Sequence, residues 1–110
     1  MSVLNVNKDT FEKEVEHFGG TVLIDFFAPE CAPCKTMNPV VESVAEKAGS
    51  KVKVCKVNVE KENELAKRFG IMTIPTLVVM KNGEIINRSI GVTGKKALFD
   101  MLSQKSQTNL

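Results

Sequence analysis

A chain of 110 residues is the length of one compact domain, able to bury roughly 65% of its unfolded surface without a metal or disulfide staple. Fifteen basic residues against thirteen acidic ones leave a net charge of +2, scattered along a chain with no Trp or Tyr, so there is no basic, aromatic-studded stripe for a nucleic acid and no such partner is expected. No apolar run approaches the length of a membrane span, and the start, MSVLNVNKDTFEKEV, lacks a basic segment followed by an apolar stretch; a soluble, cytoplasmic, monomeric protein with no membrane partner is expected.

In chain order, a short strand is predicted near Val3 to Val6. NKDTFEKEVEHFGG then sets Phe11, Val15 and Phe18 at helical spacing, with cap candidates before and two glycines after. TVLIDFFA is an almost unbroken apolar run, the pattern of a central strand covered on both faces. Met37, Val40, Val41, Val44, Ala45 and Ala48 follow at intervals of three and four, predicting a long amphipathic helix that ends at Gly49 and is kinked at Pro39. KVKVCKVNV reads as a second covered strand and ENELAKRFG as a short helix closed by Gly70. TLVVMKNGEIINRSI places two strands around Asn82-Gly83, a strong signal for an antiparallel hairpin. A last helix from about Gly94 is expected to bury Ala97, Leu98, Met101 and Leu102, and the polar ending at 103–110 is expected to fray. The order βαβαβαββα describes one α/β domain over residues 1–110.

Cys31 and Cys34, in FFAPECAPCK, fall where the central strand hands over to the long helix. Unpaired helix N–H groups and the positive end of the helix dipole favour a thiolate there. Two cysteines three apart beside a βαβ pattern read as a redox pair. Pro33 suits a first helical turn, where its missing N–H costs nothing. A zinc half-site would need two more ligands, and the candidates are Cys55, inside a covered strand, and His17, on a distant helix. Two incidental cysteines are the remaining alternative. An odd total of three makes a structural disulfide framework a poor account in a reducing compartment. Cys55 reads as inert packing, His17 as a surface residue, and the methionines at 37, 80 and 101 as core.

VLIDFFAPECAPCK resembles the VLVDFWAxWCGPCK segment of the thioredoxin family. KVNVE is similar to that family's third strand, FGIMTIPTLVVMKNGE to its Ile-Pro loop and hairpin, and GVTG to its last turn, so the likeness runs through nearly every element in order. The resemblance implies a thioredoxin fold with a mixed five-stranded sheet flanked by four helices. It also implies a reductase of protein disulfides acting by dithiol-disulfide exchange through Cys31 and Cys34. No bound cofactor or metal is expected beyond the reversible Cys31–Cys34 disulfide. The partners implied are disulfide-containing proteins and a flavoprotein thioredoxin reductase, NADPH-linked or ferredoxin-linked. A thiol oxidant or isomerase on the same fold, and a non-catalytic binding subunit, are the alternatives, because fold alone does not separate them.

Residue by residue, the exposed, dipole-stabilised Cys31 is the expected nucleophile and Cys34 the resolving thiol. Asp25, a carboxylate inside an apolar strand, should have a raised pKa. The resemblance makes it a proton acceptor for Cys34, with Lys56 as its charge partner. It also makes the Ile74–Pro75 bond cis and sets it against the disulfide, leaving the Ile74 backbone free to pair with a substrate strand. Gly91, Val92, Ala32 and Pro33 would complete an apolar platform, with Met72 beside the loop touching partners. Glu30 stands where the family usually has Trp, Ala32 where it has Gly, and Phe27 where Trp is common. Glu30, Ala32 and Pro33 are therefore the expected tuners of the redox potential.

Overall fold

The computed structural model describes residues 3–103. Strands β1 (Val3–Asn5), β2 (Thr21–Phe27), β3 (Val52–Asn58), β4 (Thr76–Lys81) and β5 (Glu84–Ile90) form one sheet in the order β1-β3-β2-β4-β5. β3 runs parallel to both β1 and β2, whereas β4 is antiparallel to β2 and to β5. This is the mixed five-stranded sheet that the resemblance implies. Three α-helices, α1 (Ala32–Ala48), α2 (Asn63–Arg68) and α3 (Lys95–Ser103), and a short π-wound helix at Glu12–Glu16 flank it.

β2 is paired on both edges and covered on both faces, which is why five consecutive residues, Val22 to Phe26, are buried and why its sequence shows little alternation. Its side chains still alternate between two cores. Val22, Ile24 and Phe26 join Phe11, Val15, Leu65 and Phe69 under the π-wound helix and α2. Leu23 joins Met37, Val41, Leu77, Val79 and Leu98 under α1 and α3. Asp25 shares the parity of Leu23 and so lies on the α1 face, where every neighbour in register is apolar except Lys56 on β3.

Gly49 ends α1 with a positive φ of 63°, a conformation that glycine adopts without a Cβ clash. α1 runs unbroken through Pro39. Asn82 and Gly83, at φ 53° and 81°, make the two-residue turn of the β4–β5 hairpin, with Lys81 opposite Glu84.

Three local expectations differ from the fold. The first helix is only Glu12–Glu16, closed by a His17 N–H to Glu12 carbonyl bond of 2.9 Å, because Asn7 and Thr10 engage the preceding backbone in a side-chain-capped turn. On α3, Leu98 and Met101 are buried and Leu102 half-buried, but Ala97 is exposed. Ala97 and Phe99 flank the buried stripe on opposite sides, and the longer Phe99 packs against the core where a methyl group does not reach. Ser103, placed in the fraying tail by its polarity, is the last residue of α3; 104–110 lie outside the described residues.

Candidate functional site

Three residues separate the end of β2 from Cys31, which caps α1. The Cys31 N–H donates to the Ala28 carbonyl at 3.3 Å, and the Lys35 N–H donates to the Cys31 carbonyl at 3.1 Å. Cys31 and Cys34 form a disulfide, S–S 2.21 Å, with the Cα atoms 5.2 Å apart. The Cys34 N–H donates to the Cys31 sulfur at 3.1 Å. A Sγ at that point occupies the place of a capping oxygen, receiving an orphan N–H at the positive end of a 17-residue helix. Cys31 is half-buried whereas Cys34 is only 2% exposed. One sulfur is open to a partner and the other is sealed behind it. Ala32, Pro33 and Glu30 are exposed around the pair, and Glu30 makes no hydrogen bond or ion pair among the described residues.

Asp25 is fully buried, and neither carboxyl oxygen has a hydrogen-bond partner among the described residues. Burial disfavours its charged form and lifts its pKa from 3.8 to about 6, against the opposing attraction of Lys56. Lys56 is the register partner of Asp25 across β2 and β3 and the charge that acts on it, but no direct ion pair closes between them. The Lys56 Nζ instead donates to Asn38 Oδ1 at 2.8 Å and stands 4.4 Å from the centroid of the Phe27 ring. An exposed amide acceptor and an aromatic face together outcompete a carboxylate that lies deeper in the fold. Asn38 carried no signal in the sequence beyond being a polar residue on an amphipathic helix. Lys56 and Phe27 also line a surface depression of about 360 Å³ at the ends of β1 and β3, whose walls do not include the cysteines.

The Ile74–Pro75 bond is cis. Pro75 is buried next to Thr76, the register partner of Phe26, which puts it beside the end of β2 from which the Cys31 loop departs. Its carbonyl accepts the Gly91 N–H at 2.8 Å. Gly91 has a φ of 89°, in the region that favours glycine. Two residues on, the Thr93 N–H donates to the Met37 sulfur at 3.3 Å, tying this turn to the first turns of α1. The Pro75, Gly91–Val92 and α1 segments thus gather at one end of the sheet. Ile74 and Gly91 are half-buried, Val92 is 55% exposed and Met72 94% exposed. Ile90, 65% exposed and the last residue of β5, adds to the apolar surface of this end. It is exposed because β5 is an edge strand.

The competing ligands for zinc are elsewhere. Cys55 is buried in the core on the opposite face of the sheet from α1, and burial pushes its thiol up to about 12. Its reading as inert packing agrees with both. His17 is exposed, 3.4 Å from Glu12. Among the described residues no group of three or more His, Cys, Asp or Glu side chains converges on a metal position. No helix among them is long and apolar enough to cross a membrane.

A strand-to-helix junction with one open and one sealed sulfur in a closed pair defines a dithiol-disulfide oxidoreductase. The thioredoxin family model matches residues 2–104. The chain is 38% identical to thioredoxin of Bacillus subtilis (strain 168) over 104 residues, covering 94% of this chain and 98% of that one. It is 39% identical to thioredoxin of Porphyra purpurea over 94% and 97% of the two chains, and 36% identical to that of Haemophilus influenzae over 93% and 95%. The chain belongs to the thioredoxin family, and its activity is that of a protein-disulfide reductase working through the Cys31–Cys34 pair.

Proposed function

We propose that this protein reduces disulfides in cytoplasmic proteins, with Cys31 attacking and Cys34 resolving. The observation that carries the order of events is the contrast between the half-buried Cys31 sulfur, held at the N-cap by the Cys34 N–H, and the sealed Cys34. The Cys31 thiolate displaces one sulfur of the substrate disulfide, forming a mixed disulfide and releasing a thiolate that takes up a proton. Cys34 loses its proton and attacks the Cys31 sulfur, releasing the second substrate thiol and closing the Cys31–Cys34 bond. Two electrons and two protons pass to the substrate. A flavoprotein reductase, NADPH-linked or ferredoxin-linked, returns them.

Asp25 is the proton acceptor for Cys34 in this scheme, since a buried carboxyl with a pKa of about 6 is matched to work near neutrality. Lys56 modulates it from a distance rather than by direct pairing. Ala32, Pro33, Met72, Ile74, Pro75, Gly91 and Val92 form the surface on which a substrate segment rests, with main-chain pairing at Ile74 giving tolerance of substrate sequence. Capture tests the reading: a reduced Cys34→Ser variant incubated with cell extract should retain proteins through Cys31, identified by mass spectrometry after release with reductant. Recovery of no disulfide-linked proteins would contradict it.

Glu30 tunes the pair. A carboxylate about 6 Å from a thiolate, at an effective dielectric of about 40, would raise the thiolate's energy by roughly 1.4 kcal/mol, or about one pH unit. The helix dipole acts in the opposite direction by roughly 0.3–2 kcal/mol. Destabilising the ionised dithiol makes the couple more reducing. Glu30→Gln should therefore lower the Cys31 pKa by up to about one pH unit and make the potential less negative, both changes shrinking in high salt. Titration of thiolate absorbance in the two proteins checks this, and an unchanged or higher pKa in the variant would remove Glu30 from the account.

A further inference from the structure

Lys56 and Asp25 occupy the same register position on adjacent parallel strands and the same face of the sheet. Neighbouring strands lie about 4.8 Å apart, a span that a lysine side chain covers easily. A buried carboxylate next to such a lysine would ordinarily close an ion pair with it. That pair is absent, and the ammonium group is engaged by Asn38 Oδ1 at 2.8 Å and by the Phe27 ring at 4.4 Å. Asn38 lies on α1, four residues after Cys34 and one turn below it, on the exposed side of the helix. Its amide oxygen reaches the lysine from the same helix that carries the reactive pair.

We propose that Asn38 is a positioning residue for the exchange reaction, whose side chain holds the Lys56 ammonium at the surface and so keeps Asp25 from being locked into an ion pair. An Asp25 carboxylate paired with Lys56 would be a weaker base for Cys34, because the neighbouring cation stabilises the charged form. With Lys56 held off, burial governs the carboxyl. The register neighbours of Asp25 are Lys56 on β3 and Leu77 on β4, and the α1 face above it is built from apolar side chains such as Met37 and Val41. Among the described residues Lys56 is the one charge that bears on it. A single hydrogen bond on the helix surface thus sets the electrostatics of a buried carboxyl. The consequence for catalysis rests on Asp25 acting as the proton acceptor, but the effect on Asp25 itself does not.

The test is the titration of Asp25 in the oxidised protein, followed by the carbon NMR signal of its carboxyl group. Asn38 is exposed and alanine is the better helix former, so Asn38→Ala should fold. Its Asp25 midpoint should fall by about one pH unit or more, the usual effect of an opposite charge arriving at a buried carboxylate. Asn38→Asp, which keeps an acceptor for Lys56, should show no such fall. In a Lys56→Gln background, adding Asn38→Ala should leave the midpoint where it was. An unchanged midpoint in Asn38→Ala, or an equal fall with and without Lys56, would overturn the proposal. The pH profile of mixed-disulfide resolution separates the two readings. If the NMR midpoint falls while the resolution profile stays fixed, Asn38 positions Lys56 as stated and it is Asp25 that has no part in proton transfer.

Discussion

Cys31→Ser should lose disulfide reduction by at least about a thousandfold, down to the uncatalysed background, while Cys34→Ser retains the first bond exchange and stops there. A serine hydroxyl is not ionised near neutrality and forms no disulfide, so the first variant has no nucleophile. The second has one but no internal thiol to release it. The asymmetry follows from exposure and capping: Cys31 is reachable and receives the Cys34 N–H, whereas Cys34 is only 2% exposed. Neither change should unfold the chain, since two separate cores, each built from one face of the sheet, carry the packing. Turnover with a disulfide-linked peptide, together with the mass of the products, checks both. Equal single-turnover attack by the two variants would show that the two sulfurs are interchangeable.

Asp25→Asn should make the oxidised protein more stable by about 3 kcal/mol above pH 6, from a shift of 3.8 to about 6 at 1.36 kcal/mol per pH unit. The sign follows from proton counting. Between about pH 4 and 6 the folded protein holds a proton on Asp25 that the unfolded chain has lost, so the parent loses stability as pH rises through this window and is level above it. Asparagine does not titrate. The two proteins should therefore converge near pH 3.5 and separate as pH rises, which denaturant unfolding across this range measures. Stability curves that run parallel would mean that the ionised carboxylate is as well accommodated as the neutral one. In the reduced protein the same substitution should slow resolution of the mixed disulfide by about tenfold or more while sparing the first attack. Should both outcomes appear, Asp25 shows the stability–activity conflict expected of a functional group in a core.

The parts of this fold that could be read in advance are those set by local pattern. The unbroken apolar run around Asp25 marked a central strand, and Asn82-Gly83 marked the hairpin turn to the residue. Helical spacing from Met37 to Ala48 located α1, and its start at Ala32 placed Cys31 at the cap. What pattern did not carry were choices between partners in space. Lys56, the charge partner that the resemblance implies for Asp25, acts on it without a direct pair; the acceptor that holds its ammonium, Asn38, is eighteen residues away in sequence on another element. Ala97 and Phe99 are equivalent by helical angle and differ only in reach. The short π-wound helix follows from a local side-chain turn at Asn7 to Thr10, which the apolar spacing of Phe11, Val15 and Phe18 does not reveal. The resemblance to the thioredoxin family anticipated the cis Ile74–Pro75 bond, which the Thr-Ile-Pro-Thr sequence alone would place as trans.

The reduction potential of the Cys31–Cys34 couple, measured by equilibration against glutathione or dithiothreitol buffers, tests the account most directly. A reductase of protein disulfides must have a couple more negative than those of its substrates, so that electrons pass to them, and one its own donor can still reduce. The couple should titrate as one two-electron step at or below roughly −270 mV, the potential typical of thioredoxins. If Glu30 tunes the pair as proposed, Glu30→Gln should move the potential in the positive direction. A potential at or above roughly −180 mV, in the range of disulfide isomerases and oxidants, would contradict the assignment as a reductase.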